Sequence, residues 1–329
     1  MKLAIIGGGS WGTALAIVLA PRFESVTLWV YEADLAERMA RSRINDVFLP
    51  GFALAENVQV LAGRAEDAIV GAEIVLGVMP SHHARGLYTA MLPCLTSSMI
   101  LVSATKGLEQ GTLLRMSEVI GQVVRTPRVA VLSGPTFARE VASGNPTAVV
   151  VASSSPEVAR CVQEAFSGPS FRLYTNSDPA GVEVGAALKN VIAIGAGICE
   201  GLGLGHNPTA ALITRGLAEI TRLAKAMGGE ARTLSGLAGL GDLVLTCSGD
   251  LSRNRYVGKE LAAGRPLAKI LASMRMVAEG VETCASAVAL GEKLGVDLPI
   301  IQQMHTVMRG GKSPREAVRD LMDRSLKGE

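Results

Sequence analysis

Several large classes of protein are excluded by what this sequence has little of. Cysteine is scarce: Cys94, Cys161, Cys199, Cys247 and Cys284 stand at least 37 positions apart. An odd, scattered set is neither a disulfide framework nor a zinc cluster, so a reducing compartment, the cytoplasm, is expected. Four histidines (His82, His83, His206 and His305) offer no metal-ligand spacing, and no metal is expected. Excess charge is nearly absent, with 32 Lys plus Arg against 30 Asp plus Glu. A nucleic-acid or membrane-surface partner would call for a concentrated basic patch, so neither is expected. Met1-Lys2 runs straight into Leu3-Ala4-Ile5-Ile6 with no apolar signal-peptide core. The most apolar later stretch, near 191–199, is bracketed by Lys189 and Glu200 and reads as too short for a transmembrane segment.

What is present points to an ordered two-domain chain. The 329 residues exceed an ordinary single domain, and 48% hydrophobic with 19% charged residues exclude disorder. Apolar, largely β-branched runs at 2–6, 26–30, 74–78, 99–103, 129–132 and 147–152 read as buried strands. Amphipathic segments such as 34–42 and 113–124 lie between them. Near-continuous apolar strands separated by helices indicate a parallel sheet covered on both faces. After Asn176 the pattern turns helical throughout, with Asn207-Pro208 reading as an N-cap and first helical residue, and Gly228-Gly229 as that helix's end. The expected fold class is α/β: an N-terminal Rossmann-like domain with a mostly parallel sheet (1–178), then an all-helical C-terminal domain (179–329).

Gly7-Gly8-Gly9-Ser10-Trp11-Gly12 fits G-x-G-x-x-G directly after the first strand and before a helix expected over 13–20. Such a turn lets backbone N–H groups and a helix N-terminus approach a pyrophosphate that Cβ atoms would obstruct. A dinucleotide is the expected ligand. A glycine-rich turn without a ligand and an S-adenosylmethionine site are the alternatives. Glu32, just past the second strand, is placed to bind a ribose 2′-hydroxyl, or else is a solvated residue opening the next helix.

Lys189 is the most informative side chain. On a helix over 182–196 its own face comprises Val182, Gly185, Ala186, Ile192, Ala193 and Ala196. It reads either as a lysine whose stem covers the core while its amine reaches water, or as an acid–base group with a depressed pKa. Lys106 and the Ser133-Gly134-Pro135-Thr136 segment follow strand ends, the edge at which open α/β sheets bind ligands. Asp242, among glycines and aliphatics, requires a cation or donors. Ser252-Arg253-Asn254-Arg255 opens a helix read over 257–262, with Ser252 as its cap, and forms either an anion site or an exposed basic helix start.

The strings Ala104-Thr105-Lys106-Gly107-Leu108-Glu109, Ser133-Gly134-Pro135-Thr136-Phe137-Ala138, Leu188-Lys189-Asn190-Val191-Ile192-Ala193, Gly239-Leu240-Gly241-Asp242-Leu243 and Ser252-Arg253-Asn254-Arg255 occur in one order. In that order the chain, from about residue 3 to 319, resembles the bacterial NAD(P)-dependent glycerol-3-phosphate dehydrogenases. The resemblance implies reversible hydride transfer between NAD(P)H and dihydroxyacetone phosphate, giving sn-glycerol 3-phosphate for phospholipid synthesis. It makes Lys189 the proton acceptor or donor. It assigns Lys106, Gly134, Thr136, Asp242, Ser252, Arg253 and Asn254 to the substrate. To the cofactor it assigns Ser10, Trp11, Lys106, Ala138, Arg253, Val277 and Glu279, beside Gly7, Gly9, Gly12, Tyr31 and Glu32 of the nucleotide end. A cytoplasmic homodimer is the expected assembly. The family often carries His or Arg where this chain has Tyr31, which leaves NAD and NADP both open. The alternatives are a β-hydroxyacid or 6-phosphogluconate type dehydrogenase, and a protein that senses NAD(P)H without turnover.

Overall fold

Leu3 and Ile5 pack into one hydrophobic core and Ala4 and Ile6 into another. That alternation is the period of a strand, and burial on both sides makes the strand central. A computed structural model describes residues 1–125, 127–274 and 277–326, in two compact units, Met1–Glu183 and Val184–Glu329.

In the first unit the chain runs β1 (Lys2–Ile6), α1 (Ser10–Leu19), β2 (Ser25–Trp29), α2 (Ala33–Ser42), β3 (Ile44–Asn45), β4 (Leu49–Ala53) and β5 (Val58–Leu61). It continues through α3 (Ala65–Ala68), β6 (Ile74–Gly77), α4 (Ser81–Met91), β7 (Ile100–Ser103), α5 (Met116–Val123) and β8 (Arg128–Ser133). α6 (Ala138–Ala142), β9 (Thr147–Ala152), α7 (Pro156–Phe166) and β10 (Phe171–Asn176) complete it. Eight strands form one sheet in the order β10-β9-β8-β7-β6-β1-β2-β5. Every neighbouring pair is parallel except β8 with β9, so the last two strands run against the others. Leu15, Leu35 and Val162 from α1, α2 and α7 cover one face; Ala65, Tyr88 and Ile120 from α3, α4 and α5 cover the other.

The six expected strands are present to within a residue at each end, and four others were not read. β5 and β10 are edge strands, and β3 and β4 form a separate antiparallel hairpin. Edge strands are wetted on one side and carry a weaker apolar signal. β10 alternates buried Phe171 and Leu173 with exposed Arg172 and Tyr174. The helix after the glycine turn begins at Ser10 rather than residue 13. α5 begins at Met116 rather than 113, because Leu113 is left-handed (φ 63°) and Arg115 with Glu118 forms the capping box.

The second unit is helical throughout its described residues. α8 (Pro179–Gly201) begins in the first unit, and α9 (His206–Ala226), α10 (Ala231–Leu234), a π-turn (Leu237–Gly241), α11 (Asp242–Ser248) and α12 (Arg253–Ala262) follow. The rest comprises α13 (Leu267–Ala272), α14 (Glu279–Leu294), α15 (Pro299–Met308) and α16 (Pro314–Met322). α9 is capped by Gly205, so Asn207 and Pro208 sit inside its first turn rather than at its boundary. The apolar stretch around 191–199 belongs to a 23-residue helix, long and apolar enough by length and composition to cross a membrane. Its apolar window is fully buried inside the protein, as befits a core helix, and it carries Lys189 and Asn190 inward. α8 and α12 approach backbone to backbone: a Cβ on Gly258 would lie 2.0 Å from the Ile194 carbonyl oxygen.

Candidate active site

In the first unit the candidate residues collect at the carboxyl ends of adjacent parallel strands. Gly7 follows β1, Tyr31 and Glu32 follow β2, Lys106 follows β7, and Gly134 and Thr136 follow β8. Gly7 is held at φ +127°, and a Cβ there would press on the Val78 carbonyl at 2.7 Å. A Cβ on Gly12 would lie 1.8 Å from the Gly7 oxygen, so the third glycine lets helix α1 close on the turn. At Gly9, by contrast, a Cβ would meet nothing within 4 Å. This is an open cradle. Gly9 caps α1 without a side-chain hydrogen bond, and the first turn holds no acidic residue to repel an anion. The first backbone bond of that turn is Thr13 N–H to the Gly9 oxygen, so the amides of Ser10, Trp11 and Gly12 precede it. Trp11 Nε1 is buried with no hydrogen-bond partner among the described residues.

Tyr31 is 79% exposed and meets Trp29 edge to face at 6.2 Å between centroids. Glu32 is exposed and caps α2 without a side-chain bond. The nearby cations are engaged: Arg38 pairs with Asp34 at 2.8 Å and Asp46 at 3.1 Å, and Arg41 pairs with Glu37. Lys106 Nζ lies 3.4 Å from both the Gly134 oxygen and Thr136 Oγ1, which joins the two strand-end segments. Ala138 is the first residue of α6, the helix packed on α1.

In the second unit Lys189, buried in α8, places Nζ 2.5 Å from Asp242 Oδ1 and 2.9 Å from Thr246 Oγ1. The side chains of Lys189 and Asp242 are 6% and 0% exposed. A lysine with its amine in water does not describe this geometry. Thr246 also donates to the Asp242 backbone oxygen at 2.6 Å, locking its own rotor one turn along α11. Thr246 was not singled out from the sequence; its signal was the i, i+4 spacing from Asp242, which shares its helix face.

Ser252 caps α12, its hydroxyl accepting from the Arg255 N–H at 3.3 Å. The two arginines at this helix start then differ. Arg255 is tied to Glu200 at 2.6 Å, the Ser248 oxygen at 2.7 Å and Asp250 at 3.2 Å. Arg253, half-buried, has no hydrogen bond or ion pair among the described residues. Asn254 is buried, its Nδ2 donating to Asn190 Oδ1 at 3.0 Å and its Oδ1 accepting from the Gly280 N–H at 3.0 Å. This relay ties together the neighbours of Lys189, Arg253 and Glu279 on α8, α12 and α14. Val277 is exposed and Glu279 is the first residue of α14.

The family described as NAD-dependent glycerol-3-phosphate dehydrogenase N-terminus matches residues 2–159, and its C-terminal counterpart matches residues 178–319. The chain belongs to the NAD-dependent glycerol-3-phosphate dehydrogenase family. It is 58% identical over 328 residues to the glycerol-3-phosphate dehydrogenase (NAD(P)+) of Koribacter versatilis, covering 98% of this chain and 97% of that protein. It is 54% identical to the one from Syntrophotalea carbinolica, covering 100% and 99%. The crystal structure of the Coxiella burnetii glycerol-3-phosphate dehydrogenase superposes with a TM-score of 0.93 at 38% identity, covering 98% of this chain and 99% of that one. Within this dehydrogenase family, the open turn at Gly9 and the unpartnered Trp11 N–H suit a phosphate-bridged dinucleotide. The backbone donors lie where a Cβ is missing, and an acceptor is wanted where the indole ends.

Proposed function

We propose that this protein is an NAD(P)-dependent sn-glycerol-3-phosphate dehydrogenase, which interconverts dihydroxyacetone phosphate and sn-glycerol 3-phosphate for glycerophospholipid synthesis. The observation that carries the reading is the buried Lys189–Asp242–Thr246 cluster, in a chain of this family. A dinucleotide, when bound, supplies or accepts the hydride at C2. Lys189 gives a proton from Nζ to the oxygen on C2 as negative charge develops there, and takes it back in the reverse direction. Asp242 and Thr246 hold that ammonium in one place, so no reorganisation is needed when the charge appears.

The domain reading gives residues 1–178 to the dinucleotide and residues 179–329 to the substrate chemistry. In the first unit, Gly7, Gly9, Ser10, Trp11 and Gly12 are assigned to the pyrophosphate side of the cofactor, Tyr31 and Glu32 to its adenosine ribose, and Ala138 to a further contact. Lys106, Gly134 and Thr136 are assigned to the substrate, with Lys106 touching the cofactor too and adding positive charge. In the second unit, Asp242, Ser252, Arg253 and Asn254 are assigned to the substrate and Arg253, Val277 and Glu279 to the cofactor. The guanidinium of Arg253, which has no hydrogen bond or ion pair among the described residues and lies beside a capped helix start, supports its assignment to the phosphate group. The engagement of Arg38 and Arg41 with acidic partners supports a ribose hydroxyl, rather than a 2′-phosphate, near Glu32. A cytoplasmic homodimer is the assembly we assign; the five unpaired cysteines support the compartment. The test is steady-state oxidation of NADH and of NADPH with dihydroxyacetone phosphate and, in parallel, with a small 3-oxo acid. Turnover confined to the phosphorylated ketone is expected. Turnover confined to the oxo acid contradicts the reading.

A further inference from the structure

Asn45 lies in the β3–β4 hairpin, 37 residues from the glycine turn, and is completely buried against it. Its Nδ2 donates to the Gly8 oxygen at 2.8 Å and to Thr13 Oγ1 at 2.9 Å. Its Oδ1 accepts from the Phe48 N–H at 2.9 Å, which fixes the orientation of the amide, because a backbone N–H needs an acceptor and a carbonyl needs a donor. Thr13 Oγ1 in turn donates to the Gly8 oxygen at 3.4 Å.

We propose that Asn45 is a positioning residue of the dinucleotide turn, holding the Gly8 carbonyl inward so that the Gly9 N–H points out into the cradle. The inference rests on the reading that this turn takes a dinucleotide. A trans peptide is planar, so its C=O and the following N–H point in opposite directions and fixing one fixes the other. The bonds to the Gly8 oxygen come from the side chains of Asn45 and Thr13. Glycines that leave room for a pyrophosphate also leave the peptide free to flip, since neither resists a positive φ. A flipped peptide would present the Gly8 carbonyl oxygen, an acceptor, to an anion. The side chain of Asn45 removes that alternative from outside the motif, and the hairpin gives it a rigid base: Val47, Phe48 and Phe52 pack on the core that covers α1.

The experiment is calorimetric titration of the full-length protein with NADH, NADPH and adenosine, for wild type, Asn45→Ala and Thr13→Val. Adenosine carries the base and ribose without the pyrophosphate. Asn45→Ala is expected to weaken the better-bound dinucleotide about tenfold, the effect of one lost buried hydrogen bond, and adenosine by less than about twofold. Thr13→Val keeps the shape and removes the second donor to Gly8, and is expected to weaken the dinucleotide about threefold. Should Asn45→Ala fail to fold, Thr13→Val carries the test with the same comparison. Equal weakening of dinucleotide and adenosine, or unchanged dinucleotide affinity with only a lower unfolding midpoint, overturns the positioning role. No binding of either dinucleotide by wild type overturns the dinucleotide reading itself, and the proposal with it.

Discussion

Replacing Asp242 with Ala should destabilise the second unit by about 3–5 kcal/mol, the range for breaking one half of a buried ion pair. At a separation of 2.5 Å and an effective dielectric of about 20, the attraction alone is about 7 kcal/mol. Part of that offsets the desolvation of both ions, and what remains is lost when Lys189 keeps its charge without the carboxylate. In urea, with a slope of about 2 kcal/mol per molar, the midpoint should fall by about 1.5–2.5 M. Far-UV circular dichroism of the helical signal reads this directly. Lys189→Met in the Asp242→Ala background should then recover part of the loss, because no ammonium is left in the apolar site. A midpoint shift under about 0.5 M, or a double variant less stable than the single one, would refute a buried, mutually dependent pair.

Two further outcomes follow from particular groups. Glu219 on α9 accepts the Ile300 and Ile301 N–H groups at 2.7 and 3.2 Å, and burial pushes its carboxyl up to about 7. A folded pKa above the unfolded value means that the proton-linked stabilisation is full below about pH 4.5 and lost as pH rises through about 7. Glu219→Gln should therefore gain in melting temperature relative to wild type between pH 5 and 8, and an offset that does not change with pH would contradict this. Arg253→Ala should lower kcat/KM for dihydroxyacetone phosphate about a hundredfold while unphosphorylated dihydroxyacetone loses far less, because remote phosphate binding also orients C2. An equal fractional loss for both ketones would move the phosphate elsewhere.

Local signals in this chain were legible and distant ones were not. The glycine turn and the central strands could be read because spacing and burial act over a few residues: Leu3 to Ile6 are buried on both faces and Gly12 must clear Gly7. Lys189 and Asp242 stood out separately as charges in apolar surroundings, yet their pairing across 53 residues has no sequence signature. The two arginines near Ser252 looked alike in sequence. The fold separates them, by bringing Glu200 to Arg255 and leaving Arg253 without a hydrogen bond or ion pair among the described residues. Asn254, assigned to the substrate, also ties Asn190 to Gly280 through its amide, a link between distant segments that has no sequence signature. The β3–β4 hairpin escaped notice because Pro50 and Gly51 interrupt it and, of its two strands, only Asn45 and Leu49 are buried. With it went Asn45, whose contact with the glycine turn spans 37 residues.

The most direct test of the central claim is the turnover of Lys189→Ala with dihydroxyacetone phosphate at saturating reduced dinucleotide, beside the Kd of that dinucleotide. Removing a positioned acid–base group lowers kcat by about 10²–10⁴, so a loss of that size is predicted, with dinucleotide affinity kept within about threefold. A variant that retains more than about a tenth of wild-type kcat would contradict proton transfer by Lys189.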